Sequence, residues 1–171
     1  MANISFVVGD ATAPQGEGQK VVAHVCNDEG GWGSGFVVAV SRRWPEPEAS
    51  YRRQFDEESP PELGTATFVR VTDDVSVANM VAQQGIRHNP WSGPAIRYDA
   101  LRTCLNSVGR WALQINASVH MPRIGCGLAG GIWSEIEPII REQLVDRGVD
   151  VVVYDWAGDK RDAVYVPPRL V

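Results

Sequence analysis

Short apolar runs alternate with helix-like segments along most of the chain and predict its secondary structure. Six runs are apolar enough to predict buried strands, and the segments between them predict four helices. Between residues 101 and 112, apolar side chains recur at i, i+3, i+4, i+7 and i+11, which is the spacing of one helix face. Because buried strands separated by helices pack in layers, the pattern predicts an α/β fold with a mostly parallel sheet. The strands are ISFVVGD, KVVAHVCN, TATFVRV, VSVANMVAQ, SVHM and VDVVVYD.

The third and fourth strands are joined by a short polar segment at residues 72–74. A connection this short predicts an antiparallel hairpin, which makes the sheet mixed. With 171 residues and no internal repeat, the chain is expected to form a single domain over residues 1–171. The predicted core covers about residues 4–154, and a tail without clear periodicity follows over 155–171.

Two local predictions concern the last helix and a long loop. Ser134 and Glu137 have the spacing of a capping box, which would put Pro138 near the first turn, where proline is tolerated. Residues 84–98 contain glycines, prolines and Trp91 without periodicity, so this segment suits either a lid over a ligand or an inert loop.

The composition is that of an ordinary globular protein, with 44% hydrophobic and 22% charged residues and a net charge of −5. Because no stripe of Lys or Arg is present, we expect neither non-specific binding to nucleic acid nor attachment to membranes. Cys26, Cys104 and Cys126 are odd in number and widely spaced, which fits reduced thiols in the cytoplasm. The first residues lack the basic segment of a signal peptide, and no apolar run approaches membrane-spanning length.

Several kinds of chemistry are disfavoured by the motifs that are missing. His24, His88 and His120 do not stand at metal-ligand spacing from one another or from a cysteine, so we expect no metal and no cofactor. His24 lies inside an apolar strand, where a hydrogen-bonded core histidine is expected. In GWGSGF, Trp32 and Phe36 stand where the serine-hydrolase motif G-x-S-x-G requires glycine. A nucleoside-triphosphate P-loop is absent as well.

Two glycine-rich loops carry the strongest chemical signal: GGWGSGF at residues 30–36 and GCGLAGG at residues 125–131. Each follows a predicted strand and precedes a predicted helix, so its N–H groups would lie at the positive end of a helix, where anions bind. In an open α/β sheet both loops lie at the carboxyl ends of strands and can clamp one diphosphate. The alternative is that one or both are only tight turns. Within the second loop, Cys126 is either a nucleophile at the start of a helix or a small residue that packs under the loop.

The second loop also spells G-x-G-x-x-G, the pattern of dinucleotide-binding proteins. Asp155 ends the next predicted strand, where a ribose-binding acid is expected. Such a loop normally opens its domain, whereas here only one strand and a tail follow it. An NAD-binding oxidoreductase is therefore an alternative that requires a permuted chain order.

Four stretches together resemble the macrodomain family: GD after the first strand, AHVCN, a loop ending in GSG, and MPRIGCGL before an amphipathic helix. The resemblance covers about residues 4–154. It points to the branch that contains the terminal ADP-ribose protein glycohydrolase, the ALC1-like macrodomains and the antitoxins that remove ADP-ribose from DNA. It implies a three-layer α/β/α sandwich with a mixed, mostly parallel sheet that binds ADP-ribose.

The resemblance also implies roles for matching positions. Asp10, with Ala11 beside it, would accept a hydrogen bond from the adenine amino group. Tyr154 would pack near the adenine or serve as an aromatic at the edge of the core. Asn27 would orient the distal ribose hydroxyls or a water, or else cap its loop. The diphosphate and the distal ribose would be held by Gly33, Ser34, Gly35, Phe36, Pro122, Ile124, Gly125, Cys126, Gly127, Leu128 and Ala129.

The sequence departs from these relatives at their catalytic positions. The lysine and the aspartate of the glycohydrolase fall on Gln83 and Ala129, which can neither form a Schiff base nor transfer a proton. An ester between the ribose and an acidic side chain has a good leaving group, and the diphosphate can stabilise the positive charge on the sugar. Asn27 and Gln83 are therefore predicted to hold the attacking water. Asp28 is an alternative general base. The other interpretation is that its carboxylate is simply exposed to solvent in the glycine loop.

The predicted function is thus removal of mono-ADP-ribose from glutamate or aspartate side chains. The predicted partners are ADP-ribose and ADP-ribosylated protein, with ADP-ribosylated DNA as an alternative. Two other functions remain open. One is a reader that binds ADP-ribose without turnover, because both catalytic groups are replaced. The other is a phosphatase that acts on ADP-ribose 1″-phosphate.

Overall fold

The secondary structure follows the apolar pattern closely. A computed structural model describes residues 1–57, 59–86 and 93–156, and all the predicted strands and helices lie within that part. The strands are β1 (Ile4–Val8), β2 (Lys20–Asn27), β3 (Ala66–Arg70), β4 (Val75–Gln83), β5 (Ser118–Met121) and β6 (Val151–Asp155). The helices are α1 (Phe36–Arg43), α2 (Glu46–Asp56), α3 (Tyr98–Ile115) and α4 (Trp133–Gln143).

These strands form one sheet in the order β1-β6-β5-β2-β4-β3. Neighbouring strands are parallel, except that β3 and β4 are antiparallel across the turn at residues 72–74. The prediction of a mixed, mostly parallel sheet with one hairpin is therefore confirmed. Because the carboxyl ends of β2, β4, β5 and β6 lie at one edge, both glycine loops begin at that edge.

Helices cover both faces of the sheet. One face packs on α3 and α4 through side chains such as Ala23, Met80 and Val153, and the other packs on α1 and α2 through Val22 and Val77. Successive side chains of a strand point to opposite faces, so a strand covered on both sides must be apolar at nearly every position. The three-layer α/β/α arrangement is thus confirmed, and it explains the continuous apolar runs.

The predicted capping box of the last helix is wrong. Helix α4 begins at Trp133, and Ile132 precedes it without any side-chain cap. Ser134 and Glu137 therefore lie inside the helix, and Pro138 is its sixth residue instead of a first-turn residue. The physical reason is packing: the ring of Trp133 is buried against the core, which fixes the start of the helix ahead of the capping signal.

Some predicted features fall outside the described residues. These are residues 87–92 of the predicted lid, which include His88 and Trp91, the side chain of Leu128, and the tail beyond Trp156. In the part of the chain that the structure describes, no helix combines the length and the apolar character needed to cross a bilayer.

Candidate functional site

A cavity of about 990 Å³ opens at the carboxyl edge of the sheet and is lined by both glycine loops. Sites for small molecules typically occupy about 300–1,000 Å³. Both glycine loops therefore line a single cavity. The predicted site residues in its lining are Asn27, Gly33, Ser34, Gly35, Phe36, Gln83, Pro122, Ile124, Gly125, Cys126, Gly127, Ala129 and Tyr154.

Asn27 organises the first glycine loop. Its Nδ2 donates to the carbonyl oxygen of Gly31 at 2.8 Å, and its Oδ1 accepts from the backbone N–H groups of Glu29 and Gly31. The hydroxyl of Tyr51 on α2 donates to the carbonyl oxygen of Asn27 at 2.6 Å and also lies 2.9 Å from Oδ1. Oδ1 of Asn27 therefore caps the loop, which is one of the two predicted roles. The second N–H of Nδ2 is left beside the cavity.

The tip of the first loop presents unpaired backbone donors. Among the described residues, the N–H groups of Gly33, Ser34 and Gly35 donate to no protein acceptor. Gly35 has φ 84° and ψ −152°, a conformation open only to glycine, and it leads directly into α1. Because these donors precede the positive end of a helix, they form a cradle suited to an anion.

The second loop is a compact turn that depends on its glycines. Gly125 and Gly127 have φ of 74° and 73°, and a short 3₁₀ turn over Gly127–Ala129 follows. The N–H of Gly131 donates to the carbonyl oxygen of Gly125 at 2.8 Å, and a Cβ on Gly131 would lie 2.3 Å from that oxygen. Within the described chain, the N–H groups of Gly125 and Gly127 have no protein acceptor. This loop therefore offers a second set of donors.

Gln83 ends β4 and fixes the segment that follows. Its Nε2 donates to the carbonyl oxygens of Gly85 and Ile86 at 2.9 and 3.0 Å. Asp28 ties the first loop to the same segment, since its Oδ1 accepts from the N–H of Gly85 at 2.8 Å. With both N–H bonds of Gln83 directed at carbonyl groups, its Oε1 is the atom that can accept a hydrogen bond from a water or a hydroxyl.

Sequence reasoning missed Arg123, which lines the cavity together with its neighbours Pro122 and Ile124. Its guanidinium makes two hydrogen bonds to the carboxylate of Asp155, at 2.7 and 3.0 Å, and lies over the rings of Phe6 and Trp133. The side chains of Arg123 and Asp155 are only 13% and 14% exposed. Arg123 stands within the quoted PRIGCGL motif, but nothing in the linear sequence indicates that Asp155 is its partner.

The predicted adenine side of the site is only partly in the lining. Asp10 and Ala11, both in the described chain, are not lining residues. The Oδ1 of Asp10 accepts from the backbone N–H and the hydroxyl of Thr12, each at 2.8 Å, and Ala11 is buried. Asp10 nevertheless stands two residues after the end of β1, and Val8 is paired with Asp155, which does line the cavity.

Tyr154 lines the cavity and is also buried at the edge of the core. Its ring lines the cavity, while its hydroxyl accepts from the N–H of Gln15 at 2.9 Å and lies 2.8 Å from Nδ1 of His120. The hydroxyl thus has two protein partners, the N–H of Gln15 and the ring of His120. The hydroxyl therefore serves the fold, and only the face of the ring is left for a ligand.

His24 is a core histidine, as expected. Its Nε2 lies 2.6 Å from Oδ1 of Asn79, whose Nδ2 donates to the carbonyl oxygen of Pro47. That second bond fixes the orientation of the amide, so Nε2 of His24 carries the proton. Burial lowers the pKa of His24 to about 4, against the opposing effect of the Asn79 hydrogen bond.

The two buried histidines make stability depend on pH. Burial also lowers the pKa of His120 to about 4, and the nearby charge of Lys20 adds to the effect. The unfolded chain, with histidine pKa values near 6.5, then binds more protons than the folded chain between pH 6.5 and 4. We therefore expect the free energy of unfolding to decrease as the pH is lowered through this window. At pH 5 the loss relative to pH 7.5 should be on the order of 1–2 kcal/mol per histidine. Urea unfolding between pH 7.5 and 4.5 measures it. A flat profile would contradict the prediction, and His120→Gln should flatten the slope.

Three similar proteins support a common fold. A macrodomain protein from Streptomyces coelicolor is 51% identical, with a TM-score of 0.78 over 90% of this chain and 99% of its own. A protein of unknown function from Bacteroides thetaiotaomicron is 49% identical, with a TM-score of 0.87 over 90% of this chain and 98% of its own. The chromodomain-helicase-DNA-binding protein 1-like of Danio rerio is 36% identical over 160 residues, which are 88% of this chain and 15% of that relative. The present chain thus spans only a small part of this curated relative.

More distant proteins extend the comparison. An ADP-ribose 1″-phosphate phosphatase from Lodderomyces elongisporus is 26% identical over 161 residues, covering 89% of this chain and 99% of its own. The DarTG protein of Thermosipho africanus, solved in complex with ADP-ribose, shares the fold at 18% identity with a TM-score of 0.73, over 94% of this chain and 43% of its own. No family model matches the chain.

The fold, the position of the two glycine loops and these comparisons lead to one assignment. The Streptomyces coelicolor protein matches this chain along nearly its entire length at 51% identity, and it has the same layered architecture. The protein is therefore a member of the macrodomain family.

Proposed function

We propose that the protein binds ADP-ribose and removes mono-ADP-ribose from acidic side chains of proteins. The observation that carries the proposal is the pair of glycine loops lining one cavity with unpaired backbone N–H groups. A diphosphate carries charge and many acceptor oxygens, so it suits two opposed sets of donors better than a single phosphate does. The protein's net charge of −5 means that these local donors must supply the attraction.

The two ends of the cavity suit the two halves of ADP-ribose. Tyr154 and Trp156 lie at the β6 end and offer aromatic faces to a base. Asn27 and Gln83 lie at the ends of β2 and β4 and offer amides to a sugar. Three strand spacings of about 4.8 Å separate β6 from β4, roughly 14 Å in all. The diphosphate then lies between these ends, near the β5 and β2 loops.

The bond to be broken joins C1″ of the distal ribose to a carboxylate oxygen. Its electron pair leaves on the carboxylate, and the positive charge that develops on the sugar is stabilised by the diphosphate. A water then bonds to C1″ and gives up a proton, which yields free ADP-ribose and the carboxylic acid. Gln83 holds this water through Oε1, and the second N–H of Asn27 orients a ribose hydroxyl. Ala129 supplies no acid or base.

A reader without turnover is the second candidate. It is favoured by Gln83 and Ala129 at the positions of the family's lysine and aspartate, and by the use of the Gln83 amide in holding its own loop. Phosphatase action on ADP-ribose 1″-phosphate is the third, because a relative bears that name. Dinucleotide oxidoreduction is less well supported, since Asp155, its expected ribose ligand, is held by Arg123.

One assay separates the candidates. The protein is incubated with an acceptor labelled with ADP-ribose on glutamate or aspartate, and release of label is followed beside an acceptor labelled on arginine. The proposal expects release from the acidic linkage only. Retained label together with ADP-ribose binding would establish the reader, and release of phosphate from ADP-ribose 1″-phosphate would establish the phosphatase.

Asp10→Asn tests the adenine end of the site. The substitution keeps Oδ1 for Thr12 and so preserves the turn, but it replaces the other carboxylate oxygen, an acceptor, with a donor. We expect the affinity for ADP-ribose to fall by about 1.5–3 kcal/mol, the scale of a hydrogen bond to a charged group. Calorimetric titration measures it, with ribose 5-phosphate as the control ligand. An equal loss for both ligands would remove Asp10 from adenine recognition.

A further inference from the structure

We propose that Arg52 binds the group attached to C1″ of the distal ribose and so selects substrates that carry an ester-linked carboxyl group or a phosphate there. This inference rests on the proposed function and adds a substrate-selecting side chain to it. Arg52 lies on α2 and lines the cavity, although its sequence context shows no motif.

Arg52 is located at the sugar end of the cavity. It follows Tyr51, whose hydroxyl donates to Asn27 at the end of β2. Gly31 and Ile86 line the same cavity, and the backbone around them is held by Asn27 and Gln83. If the base of ADP-ribose lies at the aromatic end of the cavity, the guanidinium of Arg52 lies on the far side of the diphosphate, near the distal ribose.

The charges in the lining single out Arg52. Among the described lining residues, only Arg52 and Arg123 carry a permanent positive charge. Arg123 is matched by Asp155, which lines the cavity as well, so that pair brings no net charge to a ligand. Arg52 is paired through Nε with Glu48, which is not among the described lining residues. In the described chain its Nη1 and Nη2 donate to no protein acceptor.

A hydrogen-bonded chain connects Arg52 to the first glycine loop. The indole N–H of Trp32 donates to Oγ of Ser41, which donates to Oε1 of Glu48 at 2.8 Å. Oε2 of Glu48 accepts from Nε of Arg52 at 2.7 Å. The hydrogen bonds from Arg52 and Ser41 lower the pKa of Glu48, so the carboxylate stays ionised and keeps the guanidinium oriented.

The chemistry of the proposed reaction fits a cation at this place. When the C1″–O bond breaks, the departing carboxylate gains negative charge. A guanidinium can stabilise that charge by donating two parallel hydrogen bonds to the carboxylate. A phosphate on C1″ presents the same pattern of oxygens. Free ADP-ribose has only a hydroxyl there, so Arg52 should contribute little to its binding.

The test compares two ligands in Arg52→Ala, with Arg53→Ala as the matched control. Arg53 is the next residue of the same helix, is exposed and does not line the cavity. By calorimetric titration we expect Arg52→Ala to bind ADP-ribose within about twofold of the unmodified protein. We expect its affinity for ADP-ribose 1″-phosphate to fall at least about tenfold. Arg53→Ala should change neither affinity, and Arg52→Lys should restore part of the loss.

Each other outcome is decisive. If Arg52→Ala binds ADP-ribose 1″-phosphate as tightly as the unmodified protein, or loses both ligands equally, the role of Arg52 is overturned while ADP-ribose binding stands. If the unmodified protein binds neither ligand, the proposed function itself fails. Thermal unfolding of both variants separates a folding defect from a loss of contact, because a misfolded variant would also lose ADP-ribose.

Discussion

Gly127→Glu is expected to weaken ADP-ribose binding at least a hundredfold, about 2.7 kcal/mol. Gly127 has φ 73° and lies in the loop whose N–H groups are proposed to hold the diphosphate. The new side chain would strain this backbone and bring a negative charge to the anion cradle. Calorimetric titration with ADP-ribose measures the loss.

A matched control separates the charge at the cavity from the backbone strain. Gly148 also has a positive φ, 95°, and a Cβ there meets no atom of the described residues within 4 Å. It follows the short turn after α4 and does not line the cavity. Gly148→Glu should therefore show comparable strain with unchanged affinity. If Gly127→Glu bound ADP-ribose as well as Gly148→Glu does, the second loop would not belong to the site.

The second large effect is expected for Arg123→Ala, which should lower the free energy of unfolding by about 3 kcal/mol. The substitution leaves Asp155 largely buried without its bidentate partner and removes the cation that lies over the rings of Phe6 and Trp133. Urea unfolding measures the change. The double variant Arg123→Met with Asp155→Asn should cost less than Arg123→Ala alone, because no unpaired charge remains.

Arg102→Ala is the control for this prediction. Arg102 also forms an ion pair, with Glu142, but both side chains are about half exposed. Exposed pairs contribute about 0–1 kcal/mol, so this variant should unfold almost as the unmodified protein does. Equal losses in Arg102→Ala and Arg123→Ala would mean that burial of the Arg123–Asp155 pair is not what stabilises this edge of the sheet.

Periodicity was sufficient to predict the layers of the fold because buried strands leave a continuous apolar signal. The order of the strands in the sheet was not predictable in this way, since β6 inserts between β1 and β5 through contacts remote in sequence. The start of α4 was mispredicted for a related reason. The burial of Trp133 in the core determines where the helix begins, and the local capping signal at Ser134 does not.

The candidate site was predictable where its chemistry resides in the backbone. Glycine loops are visible in a sequence because their conformations exclude other residues, as at Gly35 and Gly131. Arg52 and Arg123 were not predictable, because each depends on a partner or a position that only the folded chain supplies. Asn27 was predicted as a site residue and lines the cavity, but its hydrogen bonds to the loop became apparent only with the fold.

The most direct test of the central claim is a crystal structure of the protein with ADP-ribose. We predict that oxygens of one diphosphate lie about 2.7–3.2 Å from backbone nitrogens of both loops, residues 33–35 and 125–127. A diphosphate bound to one loop alone, or a ligand located away from this cavity, would contradict the account.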